Sequence, residues 1–289
     1  MSCSLDIYFL EAVLNGLLLA GLLALLSLGL NLIFGVIDVV WICYAEVVMI
    51  GMYGVYFFYT VLGLPLLLAF GGGIAVTAGL GLLLHYVVIR PLLNSAPINQ
   101  LLATGGVLVL LQSLATLTFG IDYRNIGVPL GSTGVFDMYF AWSRIVTFGV
   151  AITAMIGLLV FLRKTYIGMA ISALSQDRGV MPLMGVDTGR VYGVTSMIGG
   201  GLAGLAAALM TLQFDIYPHI AFQFGPLVFM VCVLGGLGNL IGGFIAALVI
   251  SQFIAVGGSC FAVEWGYAIA FLFFIVMMFI RPSGLFGKA

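Results

Sequence analysis

Two carboxylates stand inside otherwise apolar sequence, in Asp38-Val-Val-Trp41-Ile-Cys43-Tyr44-Ala-Glu46. An ionisable side chain at membrane depth is costly unless it meets an aqueous cavity or a partner. Asp38 and Glu46, with Trp41 and Tyr44 between them, are therefore candidates for lining a polar path. A second reading puts both at a cytoplasmic turn, where Glu46 would favour the N-terminus of the following helix. Asp215 and His219, in Gln213-Phe-Asp215-Ile-Tyr217-Pro218-His219, read as a solvated outer loop, with contact to an external partner as the alternative.

Catalytic chemistry finds little to work with. His85 and His219 are the two histidines, and neither has metal-ligand spacing with another His, Cys or carboxylate. No GxxxxGK[ST] run is present, so nothing in the chain can cradle and hydrolyse ATP. No metal site and no cofactor are expected on this chain. Cys3, Cys43, Cys232 and Cys260 form no CxxC pair and read as small, polarizable packing residues.

The elements that hold these residues follow from composition. Of 289 residues 63% are hydrophobic and only 7% charged, with a mean hydropathy of +1.29, so lipid is the solvent for most of the surface. Nine Lys and Arg against ten Asp and Glu leave a net charge of -1, which excludes the basic footprint of a nucleic-acid binder. The N-terminal stretch lacks a basic region and a cleavage site, so the first apolar run reads as a retained span.

Apolar runs long enough to cross a bilayer cover about residues 11–34, 45–62, 65–89, 98–119, 143–162 and 191–212, and a final one about 263–280. Between 224 and 257 the chain is apolar but broken by Gly235-Gly236-Leu237-Gly238-Asn239. Such a break at membrane depth needs protein or a water-filled path to satisfy its backbone, so the segment is expected to face the translocation path as an interrupted helix. The expectation is an all-α, polytopic bundle of about eight transmembrane helices, within a range of about seven to nine. Residues 121–142, with Asp122, Arg124, Pro129 and Asp137, read as an extramembrane loop.

Arg90, Arg163, Lys164, Arg178, Arg190, Arg281 and Lys288 mark one side as cytoplasmic, leaving Arg124 and Arg144 outside, with the N-terminus out and the C-terminus in. Gly200 and Gly204, Gly238 and Gly242, and Gly71-Gly72-Gly73 read as close helix contacts.

The longest cytoplasmic stretch, about 163–190, carries a short helix that lies outside the membrane and a turn at Met181-Pro182-Leu183-Met184-Gly185. Its Gly168, Ala170, Ala173, Gln176, Asp177, Leu183, Gly185 and Asp187 fall where the permease subunits of ATP-driven importers for branched-chain amino acids carry Gly-x-Ala-x-x-Ala-x-x-Gln-Asp and Leu-x-Gly-Ile/Val-Asp. The chain resembles that family over nearly its whole length. Asn31-Leu-Ile-Phe34-Gly35-Val36, Arg90-Pro91-Leu92, Leu101-Leu-Ala103-Thr104-Gly105, Val233-Leu-Gly235-Gly236-Leu-Gly238-Asn239 and Arg281-Pro282-Ser-Gly284-Leu-Phe286-Gly287 are all similar to its signatures. One segment departs. Where the family usually has Asn-Phe-Ala/Ser-His-Gly before the glutamate, this chain has Trp41-Ile42-Cys43-Tyr44-Ala45.

The resemblance implies a single permease domain over 1–289, in a multi-pass protein of the bacterial inner membrane surrounded by lipid. It implies a second homologous permease, two cytoplasmic ATPases that bind ATP and Mg, and a periplasmic binding protein that delivers cargo. The 163–190 loop would couple to the ATPases through Gly168, Ala170, Ala173, Gln176, Asp177, Arg178 and Gly185. The substrate path would run past Asp38, Trp41, Tyr44, Glu46, Gly235, Gly236, Gly238 and Asn239. Cargo is a branched-chain or other hydrophobic amino acid in this reading, with urea, amides or aromatic carboxylates as the alternative. An ion-coupled secondary transporter using Asp38 or Glu46 is the competing mechanism.

Overall fold

A computed structural model describes residues 7–93, 95–128, 131–135, 138–179, 181–260 and 262–287. Cys3, Pro129, Asp137 and Lys288, named above, lie outside them. The apolar runs form helices α1 (Ile7–Ile37), α2 (Tyr44–Val61), α3 (Leu66–Leu92), α4 (Pro97–Phe119) and α5 (Trp142–Lys164). A short α6 (Tyr166–Leu174) precedes α7 (Thr188–Met210), α8 (Ile220–Gly235), α9 (Leu240–Cys260) and α10 (Val263–Ile280). Chain chemistry sets the ends. Pro97 opens α4, where its missing N–H costs nothing. The Thr165 hydroxyl accepts from Gly168 N to start α6, and Asp187 accepts from Arg190 N to start α7.

Among the described residues, seven helices are long and apolar enough to span a membrane. The shorter α8 runs between the same two faces, because Gly238 beyond it packs on Gly35 near the end of α1 while the 211–219 segment pairs with Arg124 at the opposite end. So does α10, whose Gly266 packs on Gly257 near the end of α9 and which is followed by Leu285, bonded to the Leu234 carbonyl at the other end of α8. The fold is the expected polytopic helical bundle. One small exception is an antiparallel hairpin, β1 (Ser132–Val135) with β2 (Met138–Ala141), inside the loop expected to be irregular.

The helices sort into two rings. The most apolar window of α1 is 78% buried and that of α7 67%, against 17% for α4 and for α5, so the first pair forms the centre and the second faces outward. Small residues let the centre close. Along the α3/α7 crossing, a Cβ on Gly200 would sit 2.5 Å from the Thr77 carbonyl oxygen, and one on Gly81 would sit 2.6 Å from that of Ser196. Only glycine permits this approach, which trades side-chain bulk for backbone contact.

The basic residues collect at one end. Arg163 and Lys164 close α5, Arg190 starts α7, Arg90 lies near the end of α3 where that helix meets α7, and Arg281 follows α10. Arg178 joins them by pairing with Asp38 at the end of α1. Arg124 bridges to Ile216, and Arg144 bonds Asn15 on the N-terminal half of α1, both toward the opposite end. This asymmetry makes the first end cytoplasmic.

Cys43 and Cys232 are buried and free, as packing residues are. Cys260 is disulfide-bonded, which corrects its reading as a packing residue. It closes α9 at the outer end, the oxidising side of such a membrane.

Candidate functional site

Between α1 and α2 the backbone leaves helical geometry for 38–43. Asp38 ends α1 with its N–H on the Phe34 carbonyl at 2.9 Å and a φ of 56°, the left-handed conformation that Asp tolerates better than most residues. The irregular segment is anchored from α4, since the Thr104 hydroxyl donates to the Val40 carbonyl at 3.1 Å.

This segment, the start of α2, the inner half of α4 and the stretch of α8 around Pro226 line a chamber of about 450 Å³. Trp41, Tyr44 and Glu46 line it together, with Leu30 from α1, Leu101 and Leu108 from α4, and Phe222, Pro226 and Phe229 from α8. The size suits a small metabolite. The lining is almost wholly apolar, and Glu46 carries its only ionisable carboxylate. Trp41 and Tyr44 are buried with ring centroids 6.3 Å apart. The Tyr44 hydroxyl rests against Gly29.

The two readings of the carboxylates divide between them. Glu46 is buried at 2% exposure, in the first turn of α2. Asp38 is at the cytoplasmic turn, its side chain 58% exposed and 3.3 Å from Arg178.

Gly235, Gly236, Gly238 and Asn239 form the expected helix break, yet neither they nor Asp38 line the chamber with Trp41, Tyr44 and Glu46. Their polar groups are met by protein. Gly238 N donates to Asn31 Oδ1 at 3.2 Å, Gly242 N to Asn239 Oδ1 at 3.0 Å, and Asn239 Nδ2 to the Phe286 carbonyl at 3.1 Å. Leu285 N reaches the Leu234 carbonyl at 2.7 Å, so the segment after α10 closes the end of α8. Gly236 and Gly238, with φ of 93° and 84°, pack on the backbones of Gly287 and Gly35.

The cytoplasmic elements make a second site. Gly168 faces inward, against the Phe161 carbonyl and Leu162, and holds α6 to the end of α5. Ala173, Gln176 and Asp177 line a groove of about 450 Å³ with Leu162, Arg163 and Met181, and Ala170 packs beside it on the core. Asp177 Oδ1 accepts from Gly179 N at 2.9 Å, and Gly185 supplies a left-handed turn at φ 78°. Tyr166, Ile167, Met169, Leu183 and Met184 are exposed here, at the end of the bundle where the basic residues collect.

Sequence reasoning overlooked Leu30, Thr104, Phe222, Pro226 and Phe229. A proline within an apolar run was the one available signal, since it marks a helix that cannot be regular. On the outer face, Asp215 accepts from Asn125 Nδ2 at 2.8 Å and His219 Nδ1 lies 2.6 Å from Gln112 Nε2, so the loop is tied to its neighbours.

Comparison with known proteins gives the frame for both sites. The chain is 28% identical to the high-affinity branched-chain amino acid transport system permease protein LivH of Salmonella typhimurium, over 98% of this chain and 96% of that relative. It is 27% identical to the permease protein BraD of Pseudomonas aeruginosa, over 97% and 96% of the two chains. A probable LivH of Methanocaldococcus jannaschii is 25% identical over 96% and 92%. Among solved structures, PsaBC from Streptococcus pneumoniae in complex with Fab shares the fold at a TM-score of 0.53 and 16% identity, over 94% of this chain and 93% of that one. The family described as branched-chain amino acid transport system / permease component matches residues 12–278. With its apolar crossing helices and the match covering nearly all of them, the chain is a multi-pass inner-membrane transport subunit that belongs to the branched-chain amino acid transport system permease family.

Proposed function

We propose that this chain is one of two related permeases in an ATP-binding cassette importer for a branched-chain or other apolar amino acid. Two cytoplasmic ATPases, loaded with ATP and Mg, drive it, and a periplasmic binding protein delivers the cargo. The observation that carries this reading is the exposed apolar patch of α6 and the turn after it. Tyr166, Leu183 and Met184 are 79%, 85% and 74% exposed beyond the ends of the spans. Apolar surface that neither lipid nor core covers marks a protein contact. In this reading α6 and its groove seat the ATPases, and the outward side of the chamber, with Leu101, Phe222 and Phe229, meets the second permease. The cargo class follows from the named relatives and suits the apolar chamber lining.

The test is reconstitution. The chain with its co-expressed partners in liposomes is expected to accumulate leucine when binding protein and ATP are supplied, and the chain alone is expected to hydrolyse no ATP. Uptake by the chain alone, driven by an ion gradient, would overturn the reading in favour of a secondary transporter.

A further inference from the structure

Two chamber residues, Tyr44 and Glu46, bury a polar atom that the fold leaves without a hydrogen-bond partner, and Glu46 is the acidic one. It is 2% exposed, and its Oε2 has no hydrogen-bond partner. Among the described residues the ion pairs are Arg178 with Asp38 and Arg190 with Asp187, and no Lys, Arg or His lines the chamber. A carboxylate removed from water needs a cation or hydrogen-bond donors for both oxygens, and this chain brings Oε2 neither. The opposite wall repeats the imbalance. Pro226 lies inside α8 and has no N–H, so the Phe222 carbonyl one turn earlier loses its usual donor. Phe222 and Pro226 both line the chamber. An acidic side chain thus stands in an apolar space that holds no cationic group, across from a residue whose carbonyl lacks its helical donor.

We infer that Glu46 is the subsite that receives the ammonium group of the cargo, with the alkyl part lying against Leu30, Leu108 and Phe229. This rests on the importer reading above and adds to it which end of an amino acid the permease recognises. The amine is read here and the carboxylate is not, since a carboxylate in this chamber would meet only like charge. An apolar amine lacking the acid should enter, and an apolar acid lacking the amine should be refused. The same asymmetry excludes aromatic carboxylates without an amine from this chamber.

The experiment uses membranes carrying the whole importer and a membrane-soluble carbodiimide, which modifies carboxyl groups away from water. Modification of Glu46 is followed by peptide mass spectrometry with leucine, 3-methylbutylamine or 4-methylpentanoate present. Leucine and the amine are expected to slow modification by about tenfold, the change that one charge-assisted hydrogen bond produces. The acid should leave the rate unchanged. In parallel, Glu46→Gln keeps the shape and removes the charge; leucine uptake should fall by about tenfold while the ATPases still co-purify, and Glu46→Asp should recover part of it.

No modification of Glu46 without any probe, equal shielding by the acid, or wild-type uptake in Glu46→Gln would each overturn the subsite. If the acid shields as well as the amine while leucine is still imported, the subsite fails and the importer reading stands. If the intact importer carries no apolar amino acid yet the amine still shields Glu46, the importer reading fails and the subsite stands.

Discussion

Removing the Arg178–Asp38 contact should uncouple ATP hydrolysis from uptake without emptying the membrane of protein. Arg178 follows the helix proposed to seat the ATPases, and Asp38 begins the irregular segment that carries Trp41 to the chamber. Their 3.3 Å pair is the only ion pair among the described residues that joins these two parts. Both side chains are well exposed, at 40% and 58%, so the pair is a surface one worth about 0.2 to 1 kcal/mol. That corresponds to at most about a fivefold change in any equilibrium it biases. The substitution must respect the backbone. Asp38 has a φ of 56°, where most side chains are strained by about 1 to 3 kcal/mol, so alanine would mix two effects. Asn tolerates this conformation and removes only the charge. Uptake per ATP hydrolysed is to be measured in the whole importer for Asp38→Asn, Arg178→Gln and the double variant. Each single change should lower the ratio by about 1.4- to fivefold. The double variant should be no worse than either. Additive losses would mean that the two residues act independently, and the link between loop and chamber would be refuted.

Other expectations follow from contacts already described. Gly200→Leu forces bulk against the Thr77 carbonyl and should cost about 1 to 3 kcal/mol or more, read as a lowered unfolding temperature in detergent; unchanged stability would show that α3 and α7 can part freely. Gly238→Ala adds strain at φ 84° to a clash with Gly35, so membrane abundance should fall along with uptake, and normal abundance with lost uptake would instead place this break on the path. Ala173→Trp fills the groove beside α6 and should reduce co-purification of the ATPases, whereas full recovery would remove the groove from the contact. Reporters fused after Gly63 and Tyr123 should signal outside and one after Gln176 inside; the reverse pattern would invert the bundle.

The sequence alone was a good guide wherever one property decided the structure. Long apolar runs bounded by Pro65, Arg90-Pro91 or Arg163-Lys164 became helices within a few residues of the expected limits. The region from 220 to 260 was harder to divide, because α8 is short, contains Pro226 and passes through glycines into α9. The hairpin at 132–141 escaped notice because two strands of four residues, Ser-Thr-Gly-Val and Met-Tyr-Phe-Ala, are too short to carry a pattern. Within the chamber, Glu46 was legible because a charge in an apolar run is conspicuous. Thr104 and Phe229 were not, since their place depends on which helices meet. Gly236 and Gly238 announced a break correctly, but nothing local says that Asn31 and residues after α10 will satisfy it.

That last arrangement bears on how the protein is made. Helix α8 is closed at its cytoplasmic end by Leu285, Phe286 and Gly287, which leave the ribosome only after α9 and α10. Synthesis runs at about 5 to 20 residues per second, so for several seconds the Leu234 carbonyl and the Asn239 amide have no final partner. Insertion of α8 and α9 must therefore precede their locking, and the joint has to be held provisionally by water or by the translocation machinery. A ribosome stalled before Leu285 would release a bundle with all its spans threaded and one seam unsealed.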